Sequence, residues 1–412
     1  MGLNILYHHR TQGRGAEGVH IASIVRALED AGHRVTVVSP PGVDPLNPAS
    51  NAPVDKANVK TGGIQSLWKW ISRHLPNALF ELAEIAYNLP AWWRLRKVLK
   101  TERFDLVYER YAFYLLVGAW LAGRRGIPFV LEANEVSGIE HRARRQVFPR
   151  LCAWFERRLF KRCAGILTVS SHLRERILHQ GVPPERVQVA PNAFDVKRIE
   201  GKTGRKPELA RRLGLEGAFV FGFVGWFDHW DRLDMLIDVL AEVLPEQPQA
   251  RVLLVGDGPV SAGLRDKVAS LGLQQKVVFT GAVPRDQVFD HIALFDTAVF
   301  AHSNDFGSPV VMFEFMAMRV PIVAPRLAPI LDVHEDGETA LLFDRLDQAQ
   351  CAAAVRRLIA TPALREELAE RAYRKLLAEH TWARNAEQIL EAAALVPGSE
   401  AAGRPQALRP VA

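Results

Sequence analysis

The sequence predicts an α/β protein made of two doubly wound, Rossmann-like domains facing a central cleft, and three observations carry that reading. Short apolar runs without polar alternation are separated by helical segments, the pattern of parallel strands covered on both faces. The pattern starts afresh after a polar stretch at 195–212. At 412 residues the chain is also too long for one ordinary domain of roughly 150 residues.

In the first half, the runs at 4–8, 34–38, 106–108, 128–131 and 165–169 read as buried strands. Between the first two, Ile21, Ile24, Val25 and Leu28 recur at helical spacing, and Gly32 ends that helix. In the second half, the runs at 219–224, 250–255, 277–279, 297–300 and 321–324 form another strand set. The expected organisation is a first domain over 1–193, a linker over 194–212 and a second domain over 213–380. A helix over 381–396 then crosses back to the first domain, and 397–412 is a loose tail rich in Gly, Pro and Ala.

Composition excludes several classes. Hydrophobic residues at 48% and charged residues at 24% are ordinary globular values, which rules out a disordered or coiled-coil chain. Cys152, Cys163 and Cys351 form no CxxC pair, which removes a zinc ribbon or disulfide scaffold and suits a reducing cytoplasm. No apolar run reaches the ~18 residues of a membrane span, and the early strand at 4–8 leaves no signal peptide. The net charge of +6 divides into +11 over residues 1–200 and −5 over 201–412. A basic half fits nucleic acid, anionic lipid or a phosphorylated substrate; no nucleic-acid motif accompanies the charge, so nucleic acid is not expected as a partner.

The motifs narrow the chemistry. Gly13, Gly15 and Gly18 have the GxGxxG spacing after a strand and at the opening of a helix. The second strand ends Val38-Ser39-Pro40 without the carboxylate that holds a dinucleotide ribose, so a glycine loop admitting some other substrate phosphate is the better reading. His20 follows in what reads as the first helical turn. Gly201-Lys202-Thr203 imitates the end of a phosphate-binding loop, but Val196 stands where glycine is required.

The second half is sharper. Gly256, Asp257, Gly258 and Pro259 close a strand with two glycines, a geometry suited to close backbone approach to a ligand. Gly307-Ser308-Pro309-Val310 then opens a helix, with Ser308 expected as N-cap and Pro309 as first helical residue. Such a helix start suits a diphosphate, and Glu314, about a turn and a half in, is placed to accept hydrogen bonds from ribose hydroxyls.

In this order the motifs resemble the retaining glycosyltransferases of family 4, which have the GT-B fold. The matching pieces are the glycine loop with His20, Ala190-Pro-Asn-Ala-Phe-Asp195, Phe223-Val-Gly225, Val255-Gly-Asp-Gly-Pro259, and the run from Phe306 through Glu314 to Ala317, followed by Val320-Pro-Ile-Val-Ala324. The resemblance implies that the second domain binds a nucleotide-sugar donor and the first an acceptor, with no metal and no cofactor beyond the donor. It places Glu314 on the donor ribose, Gly225 and 256–259 beside the diphosphate and base, and Asn134 and Glu135 where relatives often carry a histidine near the sugar. The resemblance further implies that the leaving diphosphate takes the acceptor's proton on the same face.

The chain also departs from the family pattern. Many members place Arg directly after the Phe-Val-Gly strand and Lys about five residues later; here Trp226 and Asp231 stand there, leaving His229 and Arg232 as the nearby cations. Val311 replaces a lysine of one subgroup, and the first acidic member of the glutamate pair falls at Phe306, with Asp305 one residue away. A catalytically degenerate GT-B protein acting as a binding partner in a glycan assembly complex is therefore the alternative reading.

Finally, Trp68, Trp70, Trp92 and Trp93 interleave with Lys69, Arg73, Arg94, Arg96, Lys97 and Lys100, and a second basic cluster runs over 142–162. Aromatics mixed with cations suit an anionic membrane interface. The sequence thus points to a peripheral enzyme on the inner face of the cytoplasmic membrane, acting on a cell-envelope glycan or lipid-linked sugar.

Overall fold

The computed structural model describes residues 2–12, 15–47, 76–139 and 146–394. They divide into two compact units, one formed by residues up to 190 together with the segment from 382, the other by 191–381. Gly13, Trp68, Trp70, Arg142, Arg144, Arg145 and the expected tail lie outside the described residues.

The first unit runs β1 (Asn4–His8), α1 (Gly15–Asp30), β2 (Arg34–Val38), α2 (Asn77–Ala86), α3 (Asn88–Thr101), β3 (Leu106–Arg110), α4 (Val117–Gly123), β4 (Phe129–Ala133), α5 (Pro149–Phe160), β5 (Gly165–Thr168), α6 (Ser171–Leu178) and β6 (Val187–Val189). Its strands form a parallel sheet in the order β2-β1-β3-β4-β5-β6. The inner strands β3 and β4 are buried along their whole length, which is why each opens as an apolar run, with the charged residues Glu109, Arg110 and Glu132 confined to their C-terminal ends.

The second unit runs α7 (Pro207–Arg212), β7 (Phe219–Trp226), α8 (Leu233–Val243), β8 (Ala250–Asp257), α9 (Ser261–Ser270), β9 (Val277–Gly281), α10 (Val288–Ile292), β10 (Thr297–Val299), α11 (Val310–Ala317), β11 (Ile322–Pro325), α12 (Ala328–Leu331), β12 (Leu341–Phe343), α13 (Gln348–Ala360) and α14 (Pro362–Glu379). Its parallel sheet has the order β12-β11-β10-β7-β8-β9. Helix α15 (Trp382–Ala392) belongs to the first unit and packs on α1 and β5. There Gly165 is required: a methyl group on its Cα would meet the Ala392 carbonyl oxygen.

Three expectations need correction here. Residues 194–212 are no linker: Phe194, Ile199, Leu209 and Ala210 are buried in the core of the second unit. Polar residues dominate that stretch, but its apolar positions find a core. Helix α1 begins at Gly15, so Gly18 is buried inside it rather than in a loop, and His20 falls in its second turn. Ser308 is not the N-cap of α11. Pro309 holds that position at φ −67°, ψ 111° with no side-chain cap, because the Ser308 hydroxyl accepts instead from the Asn192 backbone N–H at 3.1 Å.

Candidate active site

In the first unit the C-terminal edge of the sheet is organised by Glu132, the fourth residue of β4. Its carboxylate accepts from Tyr108 Oη at 2.8 Å, Tyr7 Oη at 3.2 Å, Arg110 Nη1 at 2.6 Å and Asn134 Nδ2 at 2.5 Å. His20 Nε2 lies 2.9 Å away, and the His20 ring meets Trp382 edge-on at 4.9 Å. Burial opposes the charge on Glu132, yet His20 and Arg110 outweigh it and hold the carboxyl well below its ordinary range. The same burial, with the charge of Glu132, raises the Tyr7 and Tyr108 hydroxyls. A cavity of about 10 Å³, the size of one water, is lined by His20, Tyr108, Glu132 and Asn385. Two sequence-predicted residues, His20 and Asn134, therefore converge on a third that sequence reasoning missed. The available signal was a carboxylate inside an otherwise apolar central strand. Glu135 sits half-buried in the same loop, its charge acting on the buried Tyr111 hydroxyl.

In the second unit, the ends of β7 and β8 run side by side, Gly225 opposite Gly256 and Trp226 opposite Asp257. The glycines serve this approach first. A Cβ on Gly256, whose φ is +135°, would stand 1.9 Å from the Gly225 carbonyl oxygen, and one on Gly258 2.2 Å from that of Phe227. The Asp257 carboxylate closes the turn by accepting from Gly258 N at 2.8 Å and Ser261 Oγ at 2.5 Å, with Pro259 exposed beside it. Trp226 ends its strand with the indole 53% exposed.

Beyond β7 a tight 3₁₀ turn spans His229–Asp231. Asp228 and Asp231 cap it reciprocally, and His229 is exposed upon it. Arg232 follows in the left-handed region at φ 46°, and its guanidinium forks onto Asp234 at 2.9 and 3.0 Å. His302, after β10, donates its Nδ1–H to the Trp230 carbonyl, 2.9 Å away. Burial lowers its pKa first, and the charges of Arg345 and Arg232 lower it further. Arg345 pairs with Asp305 at 3.2 Å. The loops after β7, β10 and β12 thus gather two arginines around one buried imidazole. Sequence reading named Arg232 and Asp305 but neither His302 nor Arg345.

Glu314 is fully buried in α11. Its carboxylate is paired with Arg285, and Arg198 adds a second positive field; burial nevertheless leaves its pKa raised. Arg198 and Arg285 both lie over the Phe289 ring, at 5.8 and 5.9 Å. These cations come from the segment expected as linker and from the turn before α10, distant in sequence from every motif. Gly307 is confined by Asn304, whose side-chain oxygen accepts from Phe306 N at 3.2 Å, and Val310 begins α11.

Two parallel-sheet units carrying glycine-closed strand ends and an uncapped helix start make up a GT-B-type architecture. Residues 17–198 match the model of Glycosyltransferase Family 4, and residues 218–361 that of Glycosyl transferases group 1. The chain belongs to glycosyltransferase family 4.

Among its relatives it is 30% identical to a D-inositol 3-phosphate glycosyltransferase of Kineococcus radiotolerans, over 70% of this chain and 71% of that protein. It is 26% identical to the alpha-D-kanosaminyltransferase of Streptomyces kanamyceticus, over 60% of this chain and 65% of that enzyme. The chain therefore spans slightly less than two thirds of the latter. Among solved structures, Anabaena HepE in complex with UDP-glucose superposes with a TM-score of 0.67 at 19% identity, covering 96% of this chain and all of the other. Sucrose-phosphate synthase of Thermosynechococcus elongatus gives the same score at 16% identity, covering 94% and 98%.

Proposed function

We propose that this glycosyltransferase moves a sugar from a nucleotide-sugar donor to a cell-envelope glycan or lipid-linked acceptor, with retention of anomeric configuration, at the inner face of the cytoplasmic membrane. The observation that carries the reading is the second unit's edge: a buried Glu314 held by Arg285 beside an uncapped helix start, with Arg232 and Arg345 gathered near His302. A helix start carries about half a positive charge, which complements a diphosphate. The named relatives that transfer sugars, and the UDP-glucose complex of HepE, support a nucleotide-sugar donor.

In this reading Glu314 accepts from the donor ribose, and the 225–226 and 256–259 turns flank the diphosphate. The bond from the anomeric carbon to the diphosphate oxygen breaks, and the acceptor oxygen bonds to that carbon on the same face. Its proton passes to the departing diphosphate. Arg232, Arg345 and the helix start balance the developing charge without a metal. In the first unit His20, fixed by Glu132 and Trp382, and Asn134 address the acceptor sugar.

The test incubates the whole chain with a panel of UDP-, GDP- and ADP-sugars, identifies the retained donor by mass spectrometry, and reads the product anomer by NMR. Retained donor and an axial product, formed equally in EDTA, are expected from α-linked donors. Failure to retain any donor would favour the non-catalytic alternative.

A further inference from the structure

Helix α2 is built inside out. Its two glutamates, Glu81 and Glu84, are its buried residues, while Leu79 and Leu82 are 49% and 50% exposed. An amphipathic helix on a soluble protein turns the opposite face inward. Burying carboxylates is costly unless each is partnered, and here each is. Glu81 accepts from the Tyr114 hydroxyl and from Val147 N at 2.5 Å and Phe148 N at 3.0 Å. Glu84 pairs with Arg10 at 2.6 Å.

The neighbouring helices follow the same rule. Glu156, the single carboxylate of α5, is 1% exposed and accepts from Tyr111 Oη at 2.5 Å and Ser137 Oγ at 2.5 Å. Helix α3 contains no carboxylate. What remains outward is apolar and cationic: Leu89 and Trp93 with Lys97 and Lys100 on α3, and Leu151 and Trp154 with Arg157 and Arg158 on α5. The Arg158 guanidinium rests over the Trp154 ring at 5.1 Å. Helix α2 leads into α3 through Tyr87, and Glu81 ties α2 to the start of α5, so the three are neighbours.

We propose that the outward faces of α2, α3 and α5 form a docking surface for an anionic lipid bilayer. The inference rests on the lipid-linked acceptor reading above and supplies the surface that brings this unit to it. Leucine and tryptophan enter the headgroup boundary while the flanking Arg and Lys meet lipid phosphates. Internalising all three glutamates removes the groups that anionic headgroups would repel. A second copy is a poor occupant, because a two-fold contact sets this basic face against itself.

The test floats the whole chain with vesicles of phosphatidylcholine, with or without about one third phosphatidylglycerol. Binding to the mixed vesicles alone, weakened by high salt, is expected. The double variant Leu79→Glu/Leu82→Glu should reduce the bound fraction about tenfold or more with an unchanged Tm, whereas Leu377→Glu, an exposed position of the second unit, should not. Equal binding by the double variant, or equal binding to both vesicles, overturns the proposal. So does a concentration-dependent dimer abolished by the double variant without vesicle binding. Donor binding, measured without vesicles, separates the two readings: vesicle binding by a chain that retains no donor supports this surface and removes the transferase reading.

Discussion

Asp231→Asn isolates one buried carboxyl whose cost can be worked out. Asp231 is 9% exposed and accepts from Asp228 N at 3.0 Å. Burial pushes its pKa up from 3.8 to about 7; the Asp228 backbone bond opposes this, and the Asp228 charge adds to it. Between those values the folded chain keeps a proton that the unfolded chain has lost, so stability falls as pH rises from about 4 to about 7. At pH 8 the penalty is complete. The gap, at 1.36 kcal/mol per pH unit, sets a ceiling near 4 kcal/mol, and water reaching the turn brings the expected value to about 2 kcal/mol. Asparagine keeps an oxygen for Asp228 N and carries no charge. Urea unfolding from pH 4 to pH 8 should therefore show the variant about 2 kcal/mol more stable at pH 8, with the gain shrinking on acidification and vanishing near pH 4. A gain independent of pH, or a loss at pH 8, would refute the reasoning.

Other expectations follow from the same geometry. Glu314→Gln should weaken nucleotide binding in calorimetry at least tenfold, about 1.4 kcal/mol, with a smaller stability loss because the Arg285 side chain is 38% exposed and can turn to water. Arg232→Ala and Arg345→Ala should each lower the transfer rate about tenfold, read by kcat with KM little changed, and His229→Ala less. Glu132→Gln strands the buried Arg110 and should cost about 3 kcal/mol in urea unfolding at pH 7. Because the folded carboxyl of Glu132 is held low, that difference should narrow as pH falls below about 4.5.

The fold was legible because its strands bury both faces. Runs such as Val252, Leu253, Leu254 and Val255 admit no other reading once helices flank them. The donor-side loops were legible through their glycines, although the structure shows that Gly256 and Gly258 are needed first by their own neighbouring strand. Glu132, Arg285 and Arg345 escaped because each acts through a partner remote in sequence, and no spacing rule links residue 285 to 314 or 345 to 305. Helix α2 escaped for a different reason. Its period is visible, but periodicity assigns the leucines inward, and only the partners waiting at Tyr114, Val147 and Arg10 reverse the face.

The placement of α15 bears on how the chain is made. The first unit is interrupted in sequence: its sheet is finished by Val189, yet the helix that covers α1 and β5 emerges only after the whole of 191–381 has been synthesised. When the last residue of the second unit has been added, the first still lacks a wall. Ile389, wholly buried in the finished protein, belongs to that wall. The half that precedes in sequence is therefore the half whose last wall is made last, and until then its apolar face lacks that cover.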